Sequence, residues 1–207
     1  MKILPDLNYN HLYSKSWKSE LKPDIAYPEI LKNEKFGSWF EARNSIEGQN
    51  RYFTCLAIQP EFVIVRNTPK KKILLIYPEK NLEEEYNLDN FFSFLSELEN
   101  WQDTLRKRLQ EDFYKVSEFP FVGGFLGYFG FGLKDEIEKL NLKNPASTFS
   151  DSILSFYPEV LLFEYSTSMY HIVSMKPSQV NALCERLEKI ASEKSGSNEK
   201  RKPPKFT

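Results

Sequence analysis

The stretch at residues 118–133, EFPFVGGFLGYFGFGL, constrains the fold more than any other part of the chain. Five of the eight glycines, Gly123, Gly124, Gly127, Gly130 and Gly132, stand there among large apolar side chains. So many rings are foreign to a loop, and so many glycines break the helical pattern that precedes them. Glycine inside a strand permits a bend or a close approach of a second backbone. The segment therefore reads as a strongly curved central strand with another layer packed tightly over it. A phosphate cradle is excluded by composition. No Lys-Ser/Thr pair follows the glycines as a P-loop needs, and Gly130 and Gly132 lack the third glycine of a dinucleotide fingerprint.

Around this segment the apolar periods change in a consistent order. Residues 1–35 are polar and interrupted by Pro5, Pro23 and Pro28, and read as an extended arm with short strands laid on a larger body. Strands are expected at 37–42, 51–58, 62–66 and 73–77. A polar loop, RNSIEGQN, separates the first two, and a turn at NTPKKK joins the last two as antiparallel neighbours. From Leu88 to Val116 apolar residues recur at steps of three and four, with Trp101 one step off, which predicts a long amphipathic helix or two helices with a bend. Residues 135–140 have a helical tendency, and 144–151 form a Pro/Ser/Thr loop. Strands follow at 153–157, 160–165 and 170–175, the last two a hairpin with Ser-Thr-Ser at its tip. Pro177 or Ser178 opens a final helix buried through Val180, Leu183, Cys184, Leu187 and Ile190. The sum is an α+β domain of antiparallel, sandwich-like sheets with outer helices at residues 36–193, an arm at 1–35 and a linker at 194–207.

The 207 residues carry 28 Lys+Arg against 29 Asp+Glu, so no global field recruits nucleic acid or an anionic membrane. No stretch approaches the apolar length of a membrane span and no leader-like run opens the chain, so a cytoplasmic protein is expected. Cys55 and Cys184 lie far apart in apolar segments and read as two buried free thiols. His11 and His171 are the only histidines and have no Cys, Asp or Glu at zinc-site spacing.

Residues 120–140, PFVGGFLGYFGFGLKDEIEKL, resemble the glycine-rich stretch in the N-terminal domain of component I of anthranilate synthase and aminodeoxychorismate (para-aminobenzoate) synthase. That family writes a proline and an aromatic, a Gly-Gly pair, then Gly-Tyr/Leu-Phe/Leu-Gly-Tyr. The glycine spacing is matched at Gly123, Gly124, Gly127 and Gly130. Residues 39–64 are similar to the family's early strand, loop and Arg-aromatic strand, with Arg51 and Tyr52 at the pair and Ala57 to Pro60 at its Ala-x-x-Pro. Residues 155–175 resemble its later hairpin, and PKFT resembles the link into its chorismate-binding domain.

The resemblance implies a non-catalytic N-terminal part or split subunit. The family keeps its chorismate pocket, magnesium-binding glutamates and discriminating Lys or Thr in a second domain, so no catalytic residue or metal ligand is expected here, and Mg2+ only there. Implied partners are a chorismate-binding catalytic polypeptide and, through it, a glutamine amidotransferase. The folate route is favoured. The tryptophan route, a stand-alone small-molecule-binding or scaffold domain, and an inactive fragment are the alternatives.

Two departures bear on this. The family binds tryptophan between its sheets with help from a serine, and that position falls on Ala42, which can neither donate nor accept a side-chain hydrogen bond. Tryptophan is correspondingly a weaker partner. Glu41, Arg43 and Arg51 remain the polar residues best placed to meet a ligand, each with a solvated or ion-paired role as the plainer reading. Phe131 and Gly132 stand where the family has a tyrosine and an acidic residue, which makes that stretch more purely structural.

Overall fold

A computed structural model describes residues 3–46, 49–67, 70–134 and 149–198. The strands are β1 (Tyr13–Lys18), β2 (Gly37–Ile46), β3 (Gln49–Ile58), β4 (Phe62–Asn67), β5 (Lys72–Tyr77), β6 (Leu82–Asn87), β7 (Gly124–Phe129), β8 (Ser152–Tyr157), β9 (Glu159–Glu164) and β10 (Met169–Ser174). They form two antiparallel five-stranded sheets, ordered β1-β10-β9-β3-β2 and β6-β5-β4-β8-β7. The chain passes between the sheets twice. β3 runs on into β4 through Gln59, at φ +52°, and β8 runs on into β9 through Pro158.

Helices flank both sheets. In α1 (Pro23–Leu31), the buried Pro23, Ala26, Tyr27 and Ile30 fall on one face at helical spacing. In α2 (Phe91–Arg108), Phe91, Phe94, Leu98 and Leu105 do the same. Asn90 caps α2, its side chain accepting from the amides of Phe92 at 2.9 Å and Ser93 at 3.2 Å. Leu109 ends α2 and begins α3 (Gln110–Lys115), which is the bend that the sequence allows. Helix α4 (Pro177–Asn198) closes the chain. Among the described residues, no helix is long and apolar enough to cross a membrane.

The core is divided. One cluster joins the second sheet to α2 through Phe62, Ile64, Leu75, Phe94, Leu98 and Phe156, with Trp101 packed against it. A second joins the outer face of the first sheet to α1 and α4 through Leu56, Leu161, Tyr27, Ile30, Leu183 and Leu187. A third lies on that sheet's inner face, where Phe53, Cys55, Val160 and Leu162 meet Val116 and Phe119. Among the described residues no cluster holds strand residues of both sheets, and helices and the segment after α3 pack on their faces.

Several expectations are corrected. The first 35 residues are an arm with a short strand only as far as β1, and a helix follows it. β1 completes the first sheet and α1 is part of its outer core, because Pro23 occupies the first helical position, where a missing N–H costs nothing. Pro28 sits inside the helix and removes one donor without ending it. The RNSIEGQN stretch is mostly strand, since the β2–β3 register runs from Gly37↔Ile58 to Ile46↔Gln49. β6 was not expected. Its alternation of Leu82, Glu84 and Tyr86 hides a strand behind acidic residues. The glycine-rich segment supplies an edge strand, not a central one. Helix α4 extends four residues past Lys194, into the expected linker. The expected short helix at 135–140, most of the loop from 144 and the end of the tail lie outside the described residues, as do Thr68 and Pro69 of the NTPKKK turn.

Candidate functional site

The β2–β3 hairpin positions all four residues singled out from the sequence, but on two faces. Ala42 sits opposite Phe53 and packs on the inner apolar cluster. Glu41 and Arg43 alternate onto the other face, opposite Thr54 and Tyr52, and both are exposed. The Arg43 guanidinium lies 4.5 Å from the centre of the Tyr52 ring. Glu41 and Arg43 therefore do not converge with Ala42 and Arg51 on one pocket.

Arg51 belongs to a polar network on the inner side. Its Nε donates to Glu164 Oε1 and its Nη2 to Glu164 Oε2, both at 2.7 Å, while Nη1 donates to Glu118 Oε2 at 2.6 Å. A forked guanidinium and a carboxylate make such paired bonds without strain. Ser166 and Thr167, in the β9–β10 turn, donate to the same carboxylate at 2.7 and 3.0 Å. Arg51 first, then these hydroxyls, hold the Glu164 carboxyl down at about 2 against the effect of burial. Beside it, His171 is 5% exposed. Its Nδ1 lies 2.7 Å from Ser16 Oγ and its Nε2 3.6 Å from Glu164 Oε2, too far for a hydrogen bond. Burial lowers the His171 imidazole below its ordinary value, although the Glu164 charge opposes this.

Glu118 ties this network to a cleft. Its carbonyl accepts from Asn44 Nδ2 at 2.8 Å, and the neighbouring Phe119 and Phe121 pack on His171 and Phe40. Residues 116–124 are thereby clamped to the first sheet and form one wall of a cleft of about 810 Å³, with α2 and α3 as the other. Phe156 and Met175 lie at its base, and Gln102, Arg106 and Gln110 stand on the helical side. Gly123 and Gly124, at φ +115° and +134°, turn the chain from this wall into β7, a conformation that side chains oppose. Gly127 serves differently, for a Cβ there would overlap the Ile153 carbonyl of β8. Gly130 follows the strand and donates its N–H to Asp151 O at 2.6 Å.

The glycines end at an aromatic edge. Among the described residues β7 has a strand partner on one side only, and toward and beyond its end Phe129 is 57% and Phe131 80% exposed. The Lys134 ammonium lies 3.9 Å from the centre of the Phe131 ring.

Sequence reasoning missed Glu118, Glu164 and His171, and also Glu159, which is 2% exposed. A signal was present. Glu159 and Glu164 bracket the uniformly apolar VLLF of a fully buried strand, and charges so placed must be paired or neutral. Among the described residues, no group of three or more His, Cys, Asp or Glu side chains is placed to hold a metal ion. No family model matches this sequence, and no curated protein matches it.

Proposed function

We propose that this chain is the non-catalytic, partner-binding N-terminal part of a chorismate-amination synthase, of the aminodeoxychorismate type on the folate route. The observation that carries the reading is the placement of the glycine-rich segment that bears the family resemblance. Gly123, Gly124 and Gly127 shape an edge strand that delivers Phe129 and Phe131 to the surface. A strand edge that is unpaired among the described residues and bordered by exposed rings is suited to a protein partner, since aromatic side chains dominate the contact energy of interfaces. The partner is a chorismate-binding catalytic polypeptide, which would supply the magnesium site and engage a glutamine amidotransferase. Ala42, packed among Phe40 and Phe53, puts no hydroxyl at the position where the family's serine meets a bound amino acid, which favours the folate route over a tryptophan-regulated one.

The test is affinity capture from native extract with this chain as bait, followed by assay of the captured complex with chorismate and an ammonium salt. A stoichiometric chorismate-binding polypeptide whose product is aminodeoxychorismate supports the proposal. Anthranilate as product would move the chain to the tryptophan route. Capture of no chorismate-binding polypeptide by a folded bait would overturn the reading in favour of a stand-alone binding or scaffold domain.

A further inference from the structure

Among the described residues four strands end the two sheets, β1 and β2 the first and β6 and β7 the second, and their edges are not alike. The charged side chains of β1 are Lys15 and Lys18, and those of β6 are Glu83, Glu84 and Glu85. Charges of one sign along an edge repel a second copy of the same edge, and natural sheets use them to keep such strands apart. β7 carries no charge and is interrupted by Gly127. β2 differs from all three. It is ten residues long, holds no proline or lysine, and keeps its register with β3 from Gly37↔Ile58 to Ile46↔Gln49 without a bulge. Its charged side chains are one of each sign, Glu41 and Arg43, both exposed and two positions apart on the outer face.

This spacing is self-complementary. When β2 pairs antiparallel with a second copy about a two-fold axis, each residue faces the one equally far beyond the axis. A slip of one residue would turn the outer face inward, so only slips of two are open to it. With Ala42 on the axis, Glu41 faces Arg43 of the second copy, and Arg43 faces its Glu41. A slip of two in one direction sets Glu41 against Glu41, and in the other Arg43 against Arg43. The neighbouring residues suit the same central register. Ala42, on the inner face, meets only another alanine where facing Cβ atoms approach to about 5 Å. Trp39 is 44% exposed, its Nε1 donating to Thr54 Oγ1 at 2.8 Å, and it falls beside the small Ser45 of the second copy. The Arg43 guanidinium rests on the Tyr52 ring at 4.5 Å, and a stacked guanidinium still presents the donors at its rim to a carboxylate.

We infer that β2 is a self-pairing edge, through which two copies of this chain join their first sheets into one continuous antiparallel sheet. The register sets Glu41 of each copy against Arg43 of the other. Backbone hydrogen bonds supply the attraction, and the charges select the register and the partner. This surface is on the other sheet from the β7 edge and does not depend on what binds there.

Sedimentation equilibrium of the intact chain tests this, with circular dichroism to show that each variant is folded. The unaltered chain is expected to pass from monomer to dimer as concentration rises. Glu41→Arg and Arg43→Glu each set like charges together at both contacts and should weaken the dimer by about tenfold or more. An equimolar mixture of E41R and R43E restores opposite charges at both contacts, so it should form a heterodimer at least as tight as the original. Phe131→Asp should leave the dimer unchanged. An unaltered chain that is still monomeric at roughly millimolar concentration overturns the inference. So does a dimer that neither reversal weakens, a mixture of the folded variants that does not recover it, or its loss in F131D.

Discussion

Glu159 and Glu164 stand at opposite ends of β9, each 2% exposed, one with an oxygen that has no partner and the other locked to Arg51 by two 2.7 Å bonds. One strand therefore holds two buried carboxyls with opposite proton preferences. They should give stability a limb on each side of a maximum. Glu164 is held at about 2 in the fold against an ordinary 4.5, so its contribution is present above 4.5 and lost as pH falls toward 2. Glu159 is pushed to about 7, so its contribution is complete below 4.5 and lost as pH rises through 7. That loss amounts to about 3 kcal/mol. Urea midpoints measured from pH 3 to pH 9 should show both limbs, and Glu159→Gln should flatten the upper one alone. A wild-type profile that is flat from pH 5 to 8 would contradict the neutral, buried Glu159.

The Arg51–Glu164 pair should behave as a buried ion pair. Arg51→Met strands the Glu164 charge and is expected to cost about 3–5 kcal/mol, whereas the double variant Arg51→Met, Glu164→Met should recover most of that loss. Equilibrium denaturation of the two single variants and the double variant completes the cycle. A double variant no more stable than R51M would mean that Ser166 and Thr167 satisfy the Glu164 carboxylate without Arg51.

Most strands of this fold are legible because their periods are local. Residues 51–58, 62–66, 73–77, 153–157 and, but for Met175, 170–175 fall on observed strands, and the helix expected from Leu88 begins at Phe91 and bends at Leu109. The failures share a cause. Helix α1 was hidden by Pro23 and Pro28, whose effect depends on where in a helix they sit. β6 was hidden by Glu83, Glu84 and Glu85, tolerated on an edge strand that water reaches. Sheet order is non-local, so glycines that read as the middle of a sheet turned out to shape its edge. The candidate site was legible in part, since Arg51 was named but its partner Glu164 lies far along the chain.

Gly127 tests the edge strand directly. A Cβ at this position would overlap the Ile153 carbonyl, and that atom is backbone in the paired β8, so it cannot swing aside. Gly127→Ala should cost about 1–3 kcal/mol, as other overpacked sites do. Thermal or urea denaturation measures it. A neutral result would mean that β7 does not lie as close to β8 as its register requires.

The two thiols should be silent in the folded chain. Cys55 and Cys184 are buried and free, and burial pushes the Cys55 thiol up to about 12 and that of Cys184 above its ordinary value. Since the thiolate is the reactive form, a disulfide-exchange reagent such as Ellman's should titrate neither group at pH 8 without denaturant and both with it. Fast reaction of Cys184 alone would show that α4 opens from the first sheet.

The β7 edge makes the sharpest separation between folding and binding. Phe131 is 80% exposed, and among the described residues the Lys134 ammonium lies 3.9 Å from the centre of its ring. Phe131→Asp should therefore change stability by no more than about 0.5 kcal/mol, the range of ordinary surface substitutions. If the edge is the partner-binding surface, the same change should weaken capture of the catalytic polypeptide by about tenfold or more, the 1–2 kcal/mol typical of an aromatic anchor placed in an interface. Denaturation and titration calorimetry with the captured partner read the two effects separately. Unchanged affinity in a fully stable F131D chain would move the interface away from the glycine-rich edge.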